Sequence, residues 1–274
     1  MLVVDGQSIA EVMRENVRVQ ARGLGLHLAA VLAGDDEGLR QFVKIKKKVA
    51  ESCGIMFSSY DLRGQATSHK VIETIQFLNR DESVHGIFVE LPLPGTIPRD
   101  AVLSAIAPEK DVDALSSLLQ EAFYADECLI LPPAVRALEA VFQEYEIDLH
   151  GKKAAVFGPG FLVGKPVAHW LKKQGASVSV IDIDDKEPEK ISLAADIVVA
   201  SAGDPRLVKG DMVKDGAIVI DFGYNHEKEA VVGDIDTSSV SRKASLLAPV
   251  PGGMGPIVVA AVLENLVKLA IQQR

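Results

Sequence analysis

The sequence of residues 153–166 is KAAVFGPGFLVGKP, in which a short apolar strand runs through a glycine-rich turn into a helix. Gly158, Gly160 and Gly164 give this turn the spacing G-x-G-x-x-x-G. Glycines in such a turn let the backbone approach a pyrophosphate, whose charge is then stabilised by the helix N-terminus. The alternative interpretation is a tight strand–helix turn that binds no ligand.

A carboxylate stands at the end of the strand that follows this loop. Asp182 lies 24 positions after Gly158 and directly follows the apolar stretch 177–181. A carboxylate at this place accepts hydrogen bonds from an adenosine ribose, and its charge repels a 2′-phosphate. Asp184 and Asp185 add negative charge, and no arginine lies nearby in the sequence. The sequence therefore predicts a dinucleotide site and favours NAD over NADP.

Strands and helices alternate in both directions from this loop. Strands are predicted at 28–32, 55–60, 86–89, 153–157, 177–181, 197–200 and 217–221, and helices at 8–22, 38–53, 67–79, 132–145, 167–174 and 255–273. Ser8 and Glu11 have the spacing of a capping box at the start of the first helix. Such alternation favours an α/β fold with mainly parallel sheets covered by helices. We expect a domain boundary near residues 115–150, with the last helix packing back on the first domain.

The composition limits the classes of protein and partner. The chain has 274 residues, 48% of them hydrophobic, and its 29 basic and 38 acidic residues give a net charge of −9. An acidic chain without a stripe of lysine and arginine argues against a nucleic-acid partner. Two cysteines exclude a disulfide framework, and the six histidines are too dispersed for a metal site. No apolar run approaches the length of a spanning helix. We expect a cytoplasmic protein with no metal and no membrane partner.

The predicted helix at 38–53 places one lysine among apolar side chains. On a helical wheel, Lys46 lies in the middle of a face formed by Leu39, Phe42, Val43, Val49, Ala50 and Cys53. The other lysines of this helix, Lys44, Lys47 and Lys48, point away from that face. A lysine that loses its hydration in such a place can exchange protons in catalysis. Alternatively, its stem packs on the core and its ammonium reaches water.

Three further features each have a functional and a structural interpretation. Glu90 follows a predicted strand at the end where α/β proteins bind ligands, or is an exposed carboxylate at the start of a loop. Asp111 and Asp113 either bind the N–H groups of a ligand or cap the next helix. The turn-rich stretch 249–256 either holds backbone groups close to a ligand or is a rigid linker. The pattern alone leaves each alternative open.

Together these stretches resemble one family, the bifunctional methylenetetrahydrofolate dehydrogenases/methenyltetrahydrofolate cyclohydrolases, or FolD family. The resemblance extends nearly from end to end, and the order and number of its motifs argue against chance agreement. Those motifs are Phe42-Val43-x-x-Lys46-x-Lys48 with Gly54-Ile55, GIFVELPLP at 86–94, KDVD at 110–113, Gly158 with VGKP at 163–166, GAIVID at 216–221 with Gly223 and Asn225, and PVPGGMGP at 249–256.

The resemblance implies a fold of two α/β domains with a cleft between them. The N-terminal domain, amino-acid-dehydrogenase-like, binds folate and comprises residues 1–118 and 250–274; a Rossmann NAD(P)-binding domain comprises residues 119–249. The family oxidises 5,10-methylene-tetrahydrofolate by hydride transfer to NAD(P)+ and hydrolyses the methenyl product to 10-formyl-tetrahydrofolate. Tetrahydrofolate is thus the substrate carrier, and the family suggests a homodimer through the Rossmann domains.

The resemblance also implies roles for individual residues. Lys46 is expected to be the general base of the hydrolytic step, with Phe42 and Glu90 beside it, while Asp113 holds the pterin ring. The loop residues expected to line the folate pocket are Pro251, Gly252 and Gly253. The residues expected to contact the dinucleotide are Gly158, Pro159, Gly160, Gly164, Asp182 and Tyr224.

The sequence departs from the family pattern beside the catalytic lysine. Phe42 stands where the family has tyrosine, which keeps the ring and loses the hydroxyl. Glu90 stands where the family has glutamine. A carboxylate there favours the charged ammonium of Lys46, which cannot accept a proton, so we expect a weakened hydrolytic step near neutral pH. Alternatively, Glu90 is itself the base.

Other departures affect the cofactor loop and the turn after the acid pair. Pro159 stands where an arginine or a small residue is usual, and Asp182 and Ile183 replace a pair suited to a 2′-phosphate. These changes fit a switch to NAD or a loss of cofactor use. Ala114 replaces a glycine. Three functions are therefore open: an NAD-using dehydrogenase with weakened hydrolysis, a relative with a changed pterin-like or other one-carbon substrate, and a non-catalytic module that binds nucleotide or folate.

Overall fold

The computed structural model describes residues 1–34, 37–227 and 230–273. Its strands are β1 (Leu2–Val3), β2 (His27–Leu32), β3 (Met56–Asp61), β4 (Gly86–Val89), β5 (Lys153–Phe157), β6 (Ser177–Ile181), β7 (Ile197–Ala200), β8 (Ile218–Asp221), β9 (Asn225–Glu227), β10 (Ala230–Val232) and β11 (Leu246–Ala248). Its α-helices are α1 (Gly6–Ala21), α2 (Glu37–Ser52), α3 (Ser68–Arg80), α4 (Arg99–Leu103), α5 (Ser117–Tyr124), α6 (Pro133–Glu144), α7 (Gly164–Lys173), α8 (Pro188–Leu193), α9 (Thr237–Val240) and α10 (Met254–Gln272). Single turns of 3-10 helix lie at Pro108–Lys110 and Gly210–Met212.

The chain folds as two compact units, each assembled from two separate stretches. Unit 1 comprises Met1–Glu11 and Ala134–Val258, and unit 2 comprises Val12–Pro133 together with the stretch that begins at Val259. Each unit has its own parallel sheet and its own hydrophobic core. The expected α/β fold with two domains is therefore confirmed.

The unit boundaries differ from the expected division at residues 118/119 and 249/250. Residues 1–11 lie in unit 1 rather than with the folate domain, because β1 pairs in parallel with β11. Residues 119–133 lie in unit 2, where Ile130 packs into the core. Residues 250–258 lie in unit 1, where the carbonyl of Gly252 accepts the backbone N–H of Gly6 at 3.1 Å. These assignments follow from long-range packing that no local pattern encodes.

Unit 1 is built on a parallel sheet with the strand order β1-β11-β8-β7-β5-β6. Phe157, at the end of β5, pairs with Ile181 of β6 on one side and with Ala200 of β7 on the other. The chain runs from β5 to β6 in one direction and then returns past β5 to β7, so the strand order reverses between β5 and β7. Ligands of open α/β sheets bind outside the carboxyl ends of the strands at such a reversal. The glycine-rich loop follows β5 at this point.

Unit 2 is built on a three-stranded parallel sheet, in the order β3-β2-β4. The central strand β2 is buried along almost its whole length, as expected for an apolar run between two neighbours. Side chains from α10 close this core. They include Val262, Leu263, Leu266 and Val267.

α10 corrects the expectation that no segment has the length and apolarity of a spanning helix. It is the one helix in the described ranges that meets both criteria, with a mean hydropathy of 1.8. Within its most apolar window, 67% is buried inside the protein, which is the behaviour of a core helix.

The start of α1 also differs from the expected capping box. Asp5, not Ser8, caps the helix: its Oδ1 accepts the backbone N–H groups of Gln7 and Ser8 at 3.1 Å each. The hydroxyl of Ser8 donates to Asp5 Oδ2 at 2.7 Å. The helix therefore begins at Gly6, because aspartate satisfies two of the free N–H groups of the first turn.

Candidate active site

Lys46 and Glu90 form a buried ion pair in unit 2. Lys46 shares the buried face of α2 with Val43 and Ala50, whereas Lys44, Lys47 and Lys48 are exposed, as the helical wheel predicts. Glu90 directly follows β4. The exposed fractions are 8% for Lys46 and 6% for Glu90, and Lys46 Nζ lies 2.8 Å from Glu90 Oε2. The alternatives that placed the Lys46 ammonium or the Glu90 carboxylate in water are therefore wrong.

Two phenyl rings complete the surroundings of the Lys46 ammonium. Its Nζ lies 4.9 Å from the ring centroid of Phe42 and 4.2 Å from that of Phe88. A cation is attracted to the face of an aromatic ring. Sequence reasoning missed Phe88, although it precedes Glu90 by two positions and so points to the same side of the chain as it leaves β4. The carboxylate and the two rings together surround the Lys46 nitrogen.

The two acids of the KDVD stretch have different surroundings. Asp111 is completely buried, and its Oδ2 accepts the backbone N–H groups of Leu115 at 2.9 Å and Ser116 at 2.6 Å. Burial raises the pKa of Asp111, and these two N–H groups lower it. Of the two interpretations, the cap of the segment that leads into α5 therefore applies to Asp111.

Asp113 belongs electrostatically to the Lys46–Glu90 pair. Burial of its carboxyl group raises the pKa of Asp113 from 3.8 to about 7, although another part of the side chain reaches solvent. The charge of Lys46 lowers this pKa, and the charges of Asp111 and Glu90 raise it. Three ionisable groups thus share one small region, which can bind N–H groups and transfer protons.

Lys110 and Asn265 hold the KDVD stretch in place. Lys110 Nζ donates to the carbonyls of Leu78, Asn79 and Asp81 at 3.2, 2.9 and 2.8 Å, at the end of α3. Asn265, buried in α10, donates to the carbonyl of Val112 at 2.9 Å. Sequence reasoning missed the role of Asn265, whose signal is an amide in an otherwise apolar helix.

The glycine-rich loop of unit 1 requires bare backbone at two of its three glycines. Gly158 has a φ of +86°, and a Cβ there would lie 2.7 Å from the carbonyl oxygen of Ser201. A Cβ on Gly164 would lie 1.8 Å from the carbonyl oxygen of Gly158. Gly160 is exposed, and a Cβ there would make only an ordinary contact, 3.9 Å from the carbonyl oxygen of Ser201. These residues therefore leave the backbone open to a close ligand, and half-buried Pro159 lies between the first two glycines.

The helix that follows the loop is free to receive an anion. α7 begins at Gly164, and no side chain caps its N-terminus. Such an N-terminus attracts phosphate groups. Together with the bare backbone at Gly158 and Gly164, it fits the pyrophosphate of a dinucleotide.

Asp182 and Tyr224 are both exposed in unit 1. Asp182 follows β6, its Oδ1 accepts the backbone N–H of Ile183 at 2.8 Å, and its own N–H donates to Asp185 Oδ2 at 2.7 Å. Ile183 is 94% exposed. Tyr224 follows β8 and meets the ring of His226 edge-on at 5.2 Å. The end of β6 is thus acidic.

Sequence reasoning missed two buried carboxylates, Asp221 at the end of β8 and Asp234 after β10. Asp221, the last residue of β8, accepts the backbone N–H groups of Gly223, Asp234 and Ile235 at 2.8, 3.1 and 3.1 Å. Burial raises the pKa of Asp221 to about 6; its N–H partners lower it and the charge of Asp234 raises it. Both acids are completely buried.

The stretch 249–256 has a fixed backbone in unit 1. Gly252 has a φ of +99°, and a Cβ on Gly253 would lie 2.5 Å from the carbonyl oxygen of Pro249. Gly6 donates its N–H to the carbonyl of Gly252 at 3.1 Å. A Cβ on Gly6 would lie 1.8 Å from the carbonyl oxygen of Gly253. The loop from Pro251 to Gly253 is therefore pressed against the start of α1.

Comparisons with known proteins cover both units. The catalytic domain of tetrahydrofolate dehydrogenase/cyclohydrolase matches residues 4–113, and the NAD(P)-binding domain of the same family matches residues 132–274. The curated "Bifunctional protein FolD" of Campylobacter jejuni (strain RM1221) is 39% identical over 279 aligned residues, which cover 98% of each chain.

Two solved structures are similar over nearly the whole chain. The bifunctional FolD methylenetetrahydrofolate dehydrogenase/cyclohydrolase of Campylobacter jejuni has a TM-score of 0.95 and 37% identity, and 100% of both chains is covered. The FolD of Trypanosoma brucei, solved in complex with NADP cofactor and inhibitor, has a TM-score of 0.94 and 30% identity, with 99% of this chain and 98% of that chain covered.

Proposed function

The chain belongs to the tetrahydrofolate dehydrogenase/cyclohydrolase family, and on that premise we propose an activity for it. It oxidises 5,10-methylene-tetrahydrofolate to 5,10-methenyl-tetrahydrofolate with NAD(P)+, and it uses NAD in preference to NADP. It hydrolyses the methenyl product to 10-formyl-tetrahydrofolate weakly. The 2.8 Å contact between Lys46 and Glu90 carries the last part of this proposal.

The hydride acceptor is held by unit 1. The bare backbone at Gly158 and Gly164 and the N-terminus of α7 would hold the pyrophosphate of NAD(P)+, and Gly160 leaves the approach open. Pro159 and Tyr224 are proposed to contact the same ligand. When bound, the dinucleotide supplies the nicotinamide that accepts the hydride.

Acidic residues after β6 support the preference for NAD. An exposed carboxylate such as that of Asp182 can accept hydrogen bonds from ribose hydroxyls, and its charge opposes a 2′-phosphate. Asp184 and Asp185 strengthen that negative field, and the side chain of Ile183 offers no charge to a phosphate. Binding of NADP would therefore require two negative groups to approach each other.

The Lys46–Glu90 pair limits the hydrolytic step. Attack of water on the methenyl carbon requires a group that accepts the proton of the water. Lys46 as an ammonium, donating to Glu90 and facing the Phe42 and Phe88 rings, has no lone pair for that proton. The carboxylates of Glu90 and Asp113 instead favour positive charge in this region, and the methenyl product is a cation.

Recognition of the folate is proposed for the residues that the family resemblance implies. Asp113 is proposed to hold the pterin ring, because a carboxyl group beside Lys46 can accept hydrogen bonds from its N–H groups. Phe42 presents a ring on which the pterin can stack. The fixed loop of Pro251, Gly252 and Gly253 is proposed to line the folate pocket.

A turnover assay with separate NAD and NADP reactions tests this proposal. Methylene-tetrahydrofolate is supplied, reduced cofactor is followed by absorbance, and methenyl product is measured after an acid quench. We expect faster reduction of NAD and an accumulation of methenyl product. Faster reduction of NADP would contradict the cofactor preference, and immediate hydrolysis would contradict the role of Glu90. No reduction with either cofactor would favour a changed substrate.

The protein is further proposed to act in the cytoplasm as a homodimer, without nucleic-acid or membrane partners. β6 is an edge strand of the unit 1 sheet, and its residues Ser177, Ser179 and Val180 are exposed. An exposed edge strand offers unpaired backbone groups to a second chain. Light scattering after size-exclusion chromatography measures the mass, and a monomer at micromolar concentration would contradict the dimer.

A further inference from the structure

We infer that Asp234 is a positioning residue for the dinucleotide site, whose carboxylate ties the loop after β7 to the segment after β8. The glycine-rich loop packs directly against the first of these two segments. The inference rests on the proposed function, because it takes residues 158–164 as the place where a dinucleotide binds.

The Asp234 carboxylate joins two segments that are distant in sequence. Its Oδ2 accepts the backbone N–H groups of Ala202 and Gly203, which follow β7, at 2.6 and 2.9 Å. Its Oδ1 accepts the side-chain amide of Asn225, the first residue of β9, at 2.8 Å. Asp234 is completely buried, so these three N–H groups take the place of water around its charge.

The loop that Asp234 holds is in contact with the glycine-rich turn. Ser201 Oγ donates to the carbonyls of Phe157 and Gly158 at 3.1 and 3.3 Å. A Cβ on Gly158 would lie 2.7 Å from the Cα of Ala202. Because this packing leaves no space between the two loops, a shift of residues 201–203 must move the backbone at Gly158.

Asp221 fixes the backbone of Asp234 from the other side. Its carboxylate accepts the N–H of Asp234, and a Cβ on Gly233 would lie 1.8 Å from Asp221 Oδ2. A Cβ on Gly223 would lie 2.4 Å from Asp234 Oδ1. The two glycines therefore allow the two carboxylates to lie against backbone, and Asp234 has a single arrangement available.

An exchange of amide and carboxylate between Asp234 and Asn225 tests this inference. Asn225→Asp places a second carboxylate against that of Asp234, and Asp234→Asn places two side-chain amides against each other. The double variant restores one donor and one acceptor with the original total charge. We expect each single variant to raise the KM for NAD by about tenfold or more, since a hydrogen bond to a charged group is lost. The double variant should return to within about threefold of the parent.

Separate readouts distinguish positioning from a general loss of structure. The KM for methylene-tetrahydrofolate, kcat and the emission of Trp170, the one tryptophan, on α7, should change little in the variants. Asp236→Asn is the matched control, because Asp236 lies two residues away and caps α9. Equal changes in both KM values with a lowered Tm would overturn the inference, as would singles that bind NAD normally or a double variant that does not recover.

Two additions keep the test independent of folding and of the proposed reaction. Where Asn225→Asp does not fold, Asn225→Ala removes one donor without adding charge, and an unchanged KM for NAD would then contradict the inference. Failure of the proposed function appears differently, as a parent protein that reduces neither cofactor. In that case NADH binding, followed by its fluorescence, reports on the loop alone, and a parent that binds no NADH overturns the inference as well.

Discussion

Lys46 Nζ lies 2.8 Å from Glu90 Oε2, and the same nitrogen lies 4.2 Å from the ring centroid of Phe88. Both partners of the ion pair are almost completely buried. Removing one member of such a pair leaves the other as an uncompensated buried charge. We therefore expect that carboxylate to influence the balance between the two proposed reactions.

Replacement of Glu90 by glutamine tests this relationship. We expect Glu90→Gln to raise the rate of methenyl hydrolysis by about tenfold or more near neutral pH, because a neutral amide no longer favours the ammonium. The decay of the methenyl absorbance measures that rate. Lys46→Met should remove the gain in the Glu90→Gln background. An unchanged hydrolysis rate in Glu90→Gln would show that Lys46 is not restrained by Glu90.

The preference for NAD is tested at the end of β6. We expect Asp182→Ser combined with Ile183→Arg to shift the ratio of kcat/KM values toward NADP by about 10- to 100-fold, because a repulsive charge is replaced by one that pairs with phosphate. Asp184→Ser, two positions away and also exposed, is the matched control and should shift the ratio less. A parent enzyme that already prefers NADP would contradict the argument.

Asp113 makes stability depend on pH in a direction opposite to that of most carboxylates. Its pKa in the folded protein is about 7 against an ordinary value of 3.8, so between these values the folded state binds more protons than the unfolded state. Stability therefore falls as pH rises through this window. We expect Asp113→Asn to stabilise the protein by about 2 kcal/mol at pH 8 and by almost nothing at pH 4.

Urea unfolding at the two pH values measures the effect of Asp113→Asn. The exposed Asp184→Asn is the control and should give no difference between them. An equal gain in the free energy of unfolding at both pH values would mean that charge is not the cause. The same variant should lose folate binding, because the aspartate that is proposed to bind the pterin ring is also the residue that lowers stability.

Replacement of Glu146, which lies two residues after the end of α6, by glycine should stabilise the protein. Glu146 is exposed and has a φ of +50°, and it donates its N–H to the carbonyl of Gln143 at 3.2 Å. Ile147 donates to the carbonyl of Phe142 at 2.9 Å, which completes a Schellman motif. We expect Glu146→Gly to raise the free energy of unfolding by about 0.5 kcal/mol, because the left-handed conformation costs a side chain more than glycine.

The control for Glu146→Gly lies in the same helix. Gln143→Gly, on the exposed side of α6, should lower the free energy of unfolding by roughly 0.5–1 kcal/mol, since glycine has no favourable conformation to gain there. Chemical denaturation with matched slopes measures both variants. A loss of stability in Glu146→Gly would mean that the glutamate side chain contributes more than its backbone strain removes.

Four strands of the two parallel sheets follow from local sequence. β4, β5, β6 and β7 have the predicted ends, because each is a short apolar or alternating stretch between polar or turn-forming residues. β1 was not predicted, since two exposed residues carry no pattern and its partner Leu246 lies far along the chain. The antiparallel strands β9 and β10 were missed, as was β11, because three residues are too few for a periodicity.

The residues of the candidate site also differ in how far the sequence alone predicts them. Lys46 could be placed on a buried helix face because the apolar period of α2 is strong, and Gly158 because a strand and a helix flank it. Glu90 and Asp113 could be suspected, but the choice between ligand and cap required the structure. Asp234 could not be found, because its partners come from the loop after β7 and from β9, which only the folded sheet brings together.

The order in which the two units acquire their parts has a consequence for synthesis on the ribosome. β1 is made first, but its neighbour β11 begins only at Leu246, and the core of unit 2 is closed by α10. A nascent chain that extends to residue 133 therefore holds most of unit 2 without the helix that covers it. Domains usually fold one after another as they emerge, whereas these two become complete almost together. The growing chain thus exposes apolar surface for most of its synthesis, and we expect chaperones to bind it until α10 has left the ribosome.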